Sequence, residues 1–234
     1  MPEVLNGVRE VPGLERKLAE ARECIGAALE RPGVACLTCS FQAEDVVVLQ
    51  LVRERLTDIP VLFLDTGYHF AEVYKYRDEM TARYRLNLMN LTPERSVPEQ
   101  EHQFGLLYQS QPDKCCNLRK VRPLFAALEG YDVWFTGLRR VQSPTRANLK
   151  TLDRFPLPSG KELLKVSPLA DWSDRDVYTF VREHRIPLLP LYEAGYTSIG
   201  CQPCTAVPDD MANPRSGRWA GRKLECGIHI AESH

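Results

Sequence analysis

Val34-Ala35-Cys36-Leu37-Thr38-Cys39-Ser40-Phe41-Gln42-Ala43-Glu44-Asp45 is a short apolar run that ends in a polar turn. The run reads as a buried strand. Asp45 opens a helix over about 45–56, with Val46, Leu49, Val52 and Leu56 on one face. A serine at a strand-to-helix turn sets a hydroxyl beside the free N–H groups of a helix N-terminus, which suits a phosphate or sulfate; the same residue also serves as a plain N-cap. Cys36 and Cys39 have C-x-x-C spacing, but residues three apart on a strand point to opposite faces, so both read as core.

The same alternation extends in both directions. Leu14, Leu18, Ala21, Ile25 and Leu29 recur at helical spacing, so 14–29 reads as an amphipathic helix in which Cys24 is a small apolar residue. Downstream, strands are expected at 60–64, 86–91, 133–136 and 162–166, and helices at about 70–84, 117–128 and 173–184. The last begins at Ser173-Asp174-Arg175-Asp176, which has capping-box spacing. Residues 94–112 read as one short helix and a loop, and 141–160 as a long loop or hairpin. Strands alternating with helices predict an α/β fold with a doubly wound parallel sheet, whose ligands sit at the carboxyl ends of the strands. Three polar turns fall there: 40–45, 65–70 and 137–140. From Pro187 the periodicity stops, so the chain divides into an α/β body over 1–186 and an irregular tail over 187–234, one domain overall, with the tail held by something other than a large core.

The tail and the body share an unusual set of cysteines. Cys115 and Cys116 are adjacent, and Cys201 and Cys204 form a C-x-x-C pair. Four thiolates can hold a tetrahedral metal or an iron–sulfur cluster. Adjacent side chains diverge, which fits a small zinc ion poorly and a larger cluster with separate iron atoms better, so the spacing favours 4Fe–4S. Cys226 is left over, in a segment with Arg215, Arg218, Arg222, Lys223 and His229. Such cations favour a reactive thiolate, and a thiolate with no second cysteine nearby suits nucleophilic attack followed by rescue from an external dithiol. The alternative is an incidental exposed cysteine.

The 234 residues carry 30 basic and 31 acidic side chains, for a net charge of −1. No basic excess exists to grip a nucleic acid. The N-terminus shows no basic segment followed by an apolar run, and no stretch approaches the roughly 18 apolar residues of a membrane span. Eight cysteines without a secretory leader point to a reducing cytoplasm, where thiols bind metals or catalyse.

Taken together and in order, Ser40-Phe41-Gln42-Ala43-Glu44-Asp45, Leu64-Asp65-Thr66-Gly67-Tyr68-His69, Cys115-Cys116 with Arg119-Lys120-Val121, Thr136-Gly137-Leu138-Arg139-Arg140, Cys201-x-x-Cys204, Arg215-x-Gly217-Arg218-Trp219 and Glu225-Cys226-Gly227-Ile228-His229 resemble the iron–sulfur-dependent branch of the APS/PAPS reductase family over about residues 33–229. The resemblance implies an adenine-nucleotide α-hydrolase-like fold, related to PP-loop enzymes. It implies thioredoxin- or glutaredoxin-dependent reduction of adenosine 5′-phosphosulfate (APS) to sulfite and AMP through an S-sulfocysteine at Cys226, in sulfate assimilation and cysteine biosynthesis. It assigns one 4Fe–4S cluster to Cys115, Cys116, Cys201 and Cys204. Substrate contacts are expected from Ser40, Phe41, Thr66, Gly67, Lys120, Gly137, Arg146, Arg215, Arg218 and His229. The turn at Ser40 lacks the paired glycines of a PP-loop, so ATP hydrolysis is not expected. Other readings are the same reaction on the 3′-phosphorylated substrate (PAPS), a cluster-bearing tRNA thiolase, and a non-catalytic iron–sulfur sensor. A homo-oligomer is compatible with the sequence but not specified by it.

Overall fold

The computed structural model describes residues 13–210, 213–223 and 225–229. Residues 1–12, on which the expectation about an N-terminal leader falls, lie outside the described residues. The body runs α1 (Leu14–Leu29), β1 (Ala35–Thr38), α2 (Ala43–Arg53), β2 (Pro60–Leu64), α3 (Ala71–Tyr84), β3 (Asn87–Leu91), α4 (Val97–Phe104), α5 (Leu107–Ser110), α6 (Pro112–Cys116), a π-helical turn (Asn117–Val121), α7 (Arg122–Leu128), β4 (Val133–Phe135), β5 (Leu152–Pro156), β6 (Glu162–Val166) and α8 (Asp174–Glu183). The six strands form one sheet in the order β3-β2-β1-β4-β6-β5. All neighbours are parallel except β5 and β6. This is the expected α/β, nucleotide-binding type of fold, with an antiparallel edge strand added where 141–160 reads only as loop or hairpin.

Burial on both faces explains the near-continuous apolar strands. Helices α1, α2, α3 and α8 cover one face, around Ile25, Leu49, Tyr76 and Phe180. Helix α7 covers the other with Leu124, Phe125 and Leu128, against Leu62, Trp134 and Phe155. Cys39 belongs to the first layer and Cys36 to the second, as strand alternation requires. Leu189, Leu191, Tyr192 and Ile199 also enter the first layer. The start of the tail is therefore held by the main core, contrary to the sequence expectation. The periodicity stops there because these residues pack through isolated turns instead of a regular element.

Two local differences have plain causes. Residues 117–128 do not form one α-helix. Pro123 has no N–H to continue the ladder, and the Arg122 N–H reaches back to the Asn117 carbonyl, widening one turn to π geometry. Helix α2 is capped at Gln42 and not at Ser40, whose N–H and hydroxyl instead both donate to Asp45 Oδ2 at 2.6 Å. The expected capping box at α8 forms: Ser173 and Asp176 exchange hydrogen bonds. No helix among the described residues is long and apolar enough to cross a membrane.

Asp176 also accepts from Lys17 Nζ at 2.6 Å, fastening α1 to α8, with its side chain only 3% exposed. Burial raises its pKa, but the hydrogen bonds from Lys17 and Ser173 outweigh that and hold it below the usual carboxylate range. A depressed carboxylate pKa adds stability above the unfolded value, near 4, that is lost as pH falls through the folded one. Asp176→Asn is expected to lower the unfolding free energy by about 2 kcal/mol at neutral pH. In urea titrations the gap between variant and parent should close below about pH 4.

Candidate active site

A cavity of about 210 Å³ opens at the carboxyl ends of β1, β2 and β4. The chain winds outward from β1 in both directions there, so this is the topological switch point of the sheet. Ser40, Lys120, Gly137, Arg146, Arg215, Arg218, Cys226 and His229 all line it. Phe41, Thr66 and Gly67 do not. Phe41 takes a left-handed backbone and turns its ring into the core against Phe63 and Tyr76, 1% exposed. Thr66 faces the other way, its hydroxyl 3.3 Å from Cys201 Sγ, while its carbonyl accepts from Arg119 Nε.

Asp45 ties the floor together. Besides Ser40 it accepts the Gly137 N–H, so one carboxylate bridges the turns after β1 and β4. Any side chain at Gly137 would collide with Asp45. Burial, together with Glu44, pushes the Asp45 pKa up to about 6, against the pull of these hydrogen bonds.

Beside the cavity, and sharing Lys120 and Trp219 with it, lies a small pocket lined by Cys115, Cys116, Cys201 and Cys204. Burial pushes the Cys115 thiol up to about 11, and also raises Cys116 and Cys204. Burial alone would lower Lys120, but Cys201, Cys226 and Cys116 more than offset it and raise its pKa. Among the described residues, no three His, Cys, Asp or Glu side chains converge closely enough to hold a single metal ion. Four sulfurs around one pocket, walled by Arg119, Lys120 and Trp219, are a donor set for a thiolate-bound group larger than one ion.

The basic residues divide by partner. Arg119 is buried but satisfied: it donates to the carbonyls of Thr66 and Arg95 and to Gln100, and lies over the Tyr68 ring. Arg218, 5% exposed, stacks on Trp219 at 4.5 Å, and its buried Nε has no hydrogen-bond partner. It sits where Gly200 leaves room for it. Arg146 is engaged by Gln142 and, through two arms, by Glu225 at 2.9 Å each.

Cys226 is tied down on both sides. Before it stands the Arg146–Glu225 pair. After it, the His229 ring stacks on Trp134 at 5.5 Å, and the His229 carbonyl accepts from Lys165 Nζ. Burial, then Lys165, keeps His229 neutral, well below its ordinary pKa. Earlier in the tail, Arg222 donates to the Gln109 carbonyl and Lys223 pairs with Asp113. Sequence reading does not single out Lys165, Trp134, Asp45 or Glu225. Lys165 carries a signal, a lone charge in the apolar strand Leu163-Leu164-Lys165-Val166.

A sheet of this order, with a basic cavity at its switch point, defines an α/β protein of the nucleotide-binding type, and here a thiol stands on the cavity wall. Residues 35–207 match the phosphoadenosine phosphosulfate reductase domain, and the chain belongs to that family. It is 46% identical over 203 residues to the adenosine 5′-phosphosulfate reductase of Mycobacterium tuberculosis (strain H37Rv), covering 83% of this chain and 78% of that one. The enzyme of that name from Streptomyces coelicolor is 44% identical over 230 residues, 97% of this chain and 95% of the relative. Among solved structures, the phosphoadenylyl-sulfate reductase of Candida auris, a phosphate complex, superposes with a TM-score of 0.69 at 24% identity, over 82% of this chain and 96% of that one. The FMN adenylyltransferase of Candida glabrata, with FAD and pyrophosphate, gives 0.65 at 14% identity, over 98% and 82%. At these identities the structures establish the fold.

Burial, then Arg146, lowers the Lys165 pKa to about 8. The folded value lies below the unfolded one near 10.4, so the unfolded chain binds more protons between them and stability rises with pH across about 8–10. Lys165→Met is expected to flatten that rise in urea unfolding measured from pH 7.5 to 10.

Proposed function

We propose that the chain reduces adenosine 5′-phosphosulfate to sulfite and AMP, with Cys226 as nucleophile and a thioredoxin or glutaredoxin as electron donor. One observation carries the reading: Cys226 lines the same cavity as Lys120 and as Arg218, whose buried guanidinium keeps an unpartnered Nε. A nucleophilic sulfur and an anion site on one wall are what attack on a phosphosulfate needs. The 44–46% identical relatives bear the corresponding name.

In the proposed reaction the Cys226 thiolate attacks the sulfate sulfur. The sulfur–oxygen bond to phosphate breaks, and AMP leaves with that electron pair. Charge grows on the phosphate as it leaves, and fixed cations lower the barrier in a site shielded from water. Lys120 and Arg218 supply them; a thiolate and a dianion also repel each other, and the same cations offset this. The enzyme is left as S-sulfocysteine. A thiolate of the reduced partner then attacks the Cys226 sulfur, sulfite departs with the bond pair, and the partner's second thiol releases Cys226 as it closes its own disulfide. The two electrons come from the partner's dithiol.

Ser40 and Gly137, at the ends of β1 and β4, line the floor for the nucleotide. The neutral His229, stacked on Trp134, anchors the thiol segment. Phe41 and Gly67 are assigned no direct substrate contact, and Thr66 is assigned to the thiol pocket. Cys115, Cys116, Cys201 and Cys204 would hold a 4Fe–4S cluster, which when bound supplies a cross-link between the body and the tail and a charged neighbour for Lys120. The work is assigned to a reducing compartment such as the cytoplasm.

The test is intact-mass spectrometry of anaerobically prepared holoprotein, mixed with APS or PAPS and no reductant. A single S-sulfonate adduct is expected with APS, lost in Cys226→Ser and released by reduced thioredoxin. Faster labelling by PAPS would reassign the substrate, and no adduct from either nucleotide would remove the reductase reading.

A further inference from the structure

The cavity wall already contains an anion. Glu225 receives Arg146 Nε and Nη2 at 2.9 Å each and the Thr145 hydroxyl at 3.0 Å, and Arg215 Nη2 lies 3.7 Å away. The carboxylate is 9% exposed and its arginine partner 12%. Burial would raise the Glu225 pKa, but the hydrogen bonds from Arg146 outweigh it, and the group stays charged. A two-pronged pair this dry is held more firmly than a surface ion pair. The third nitrogen of Arg146, Nη1, donates to Gln142 Oε1 at 2.5 Å. Of the four arginines on the cavity wall, Arg139 pairs with Asp174 and the Trp172 carbonyl, Arg146 with Glu225 and Gln142, and Arg215 lies against Glu225, while Arg139 and Arg218 each keep a buried Nε with no hydrogen-bond partner.

We propose that Glu225 stands, in the ligand-free chain, where one anionic group of the substrate belongs, and that binding exchanges the internal anion for the external one. A carboxylate offers a guanidinium fork the same two acceptor oxygens that a phosphate or sulfate offers. Glu225 adjoins Cys226, so the exchange releases the thiol segment on that side, while Trp134 and Lys165 keep hold of His229 on the other. Glu225 is thus a positioning residue. It keeps Arg146 oriented and compensated while the site is empty, and it couples arrival of substrate to freedom of the nucleophile. The exchange lowers apparent affinity, because the internal pair must break first. This inference rests on the phosphosulfate reading above.

Glu225→Gln keeps the shape and removes the charge. ADP is the probe: a second phosphate replaces the sulfate of APS, and no sulfur is present to be attacked. In calorimetric titrations of the holoprotein, the variant is expected to bind ADP about fivefold or more tightly than the parent does. KM for APS should fall without a matching rise in the single-turnover rate of Cys226 sulfonation. Equal or weaker ADP binding by Glu225→Gln overturns the exchange. A second measurement needs no variant: amide hydrogen exchange at Glu225 and Cys226, followed by mass spectrometry, should accelerate when ADP is added. An unchanged or slower exchange in ADP-saturated protein also overturns it. If the parent binds neither ADP nor APS, the phosphosulfate reading falls and the exchange falls with it, an outcome distinct from a parent that binds and a variant that gains nothing.

Discussion

Positive charge withdrawn from water is the constraint around which this molecule is arranged. Arg119 and Arg218 are buried, and Lys120 is close to it, all within one corner of the fold. A buried cation is tolerated only where dipoles or opposite charges replace its hydration. Arg119 is met by two backbone carbonyls, the Gln100 amide oxygen and the Tyr68 ring. Lys120 and Arg218 are met by the sulfurs of Cys116, Cys201 and Cys226. Thiols and cations thus ease each other's burial: burial drives the thiols toward neutrality, and Lys120 and its basic neighbours pull Cys116 and Cys204 partway back.

This exchange explains why the body and the tail need one another. The body supplies Cys115, Cys116, Arg119 and Lys120 from one continuous stretch spanning a π turn. The tail supplies Cys201, Cys204, Arg218 and Cys226. Neither half has a satisfied electrostatic environment alone. The sheet contributes the third part, a floor where Asp45 joins the turns after β1 and β4 and leaves room for a ligand above them.

The layered α/β architecture was legible because its signals are local: apolar strands, amphipathic helices and a capping box at Ser173. The adjacent cysteines and the C-x-x-C pair were legible because so few arrangements suit them. What escaped the sequence depends on partners far along the chain. The antiparallel strand β5 lies at the sheet edge with four of its five side chains exposed, so its pattern is weak. Pro123 stood in plain view, but whether a proline kinks a helix or widens one turn depends on which carbonyl the preceding N–H can reach. Phe41 lies in the family's turn yet points into the core, because its backbone adopts a left-handed conformation that no residue-type pattern announces. Glu225 is part of a recognised motif, but its partner Arg146 lies 79 residues away.

The central position of β1 has a consequence for how the chain reaches this state. Its β2 partner follows within about one helix, but its other edge must wait for β4, with Ala35 paired to Val133 and Val34 bonded to Asp132 across a separation of 98 residues. Pairings this distant close late and slowly. During synthesis this central strand therefore presents one open edge until β4 has been made, a state prone to off-pathway association. The cavity floor cannot exist before that edge is filled, and the tail has nothing to close over until then. The order of emergence follows the same path: the β1–β4 floor is complete in the chain before Cys201 and Cys204, and Cys226 comes last.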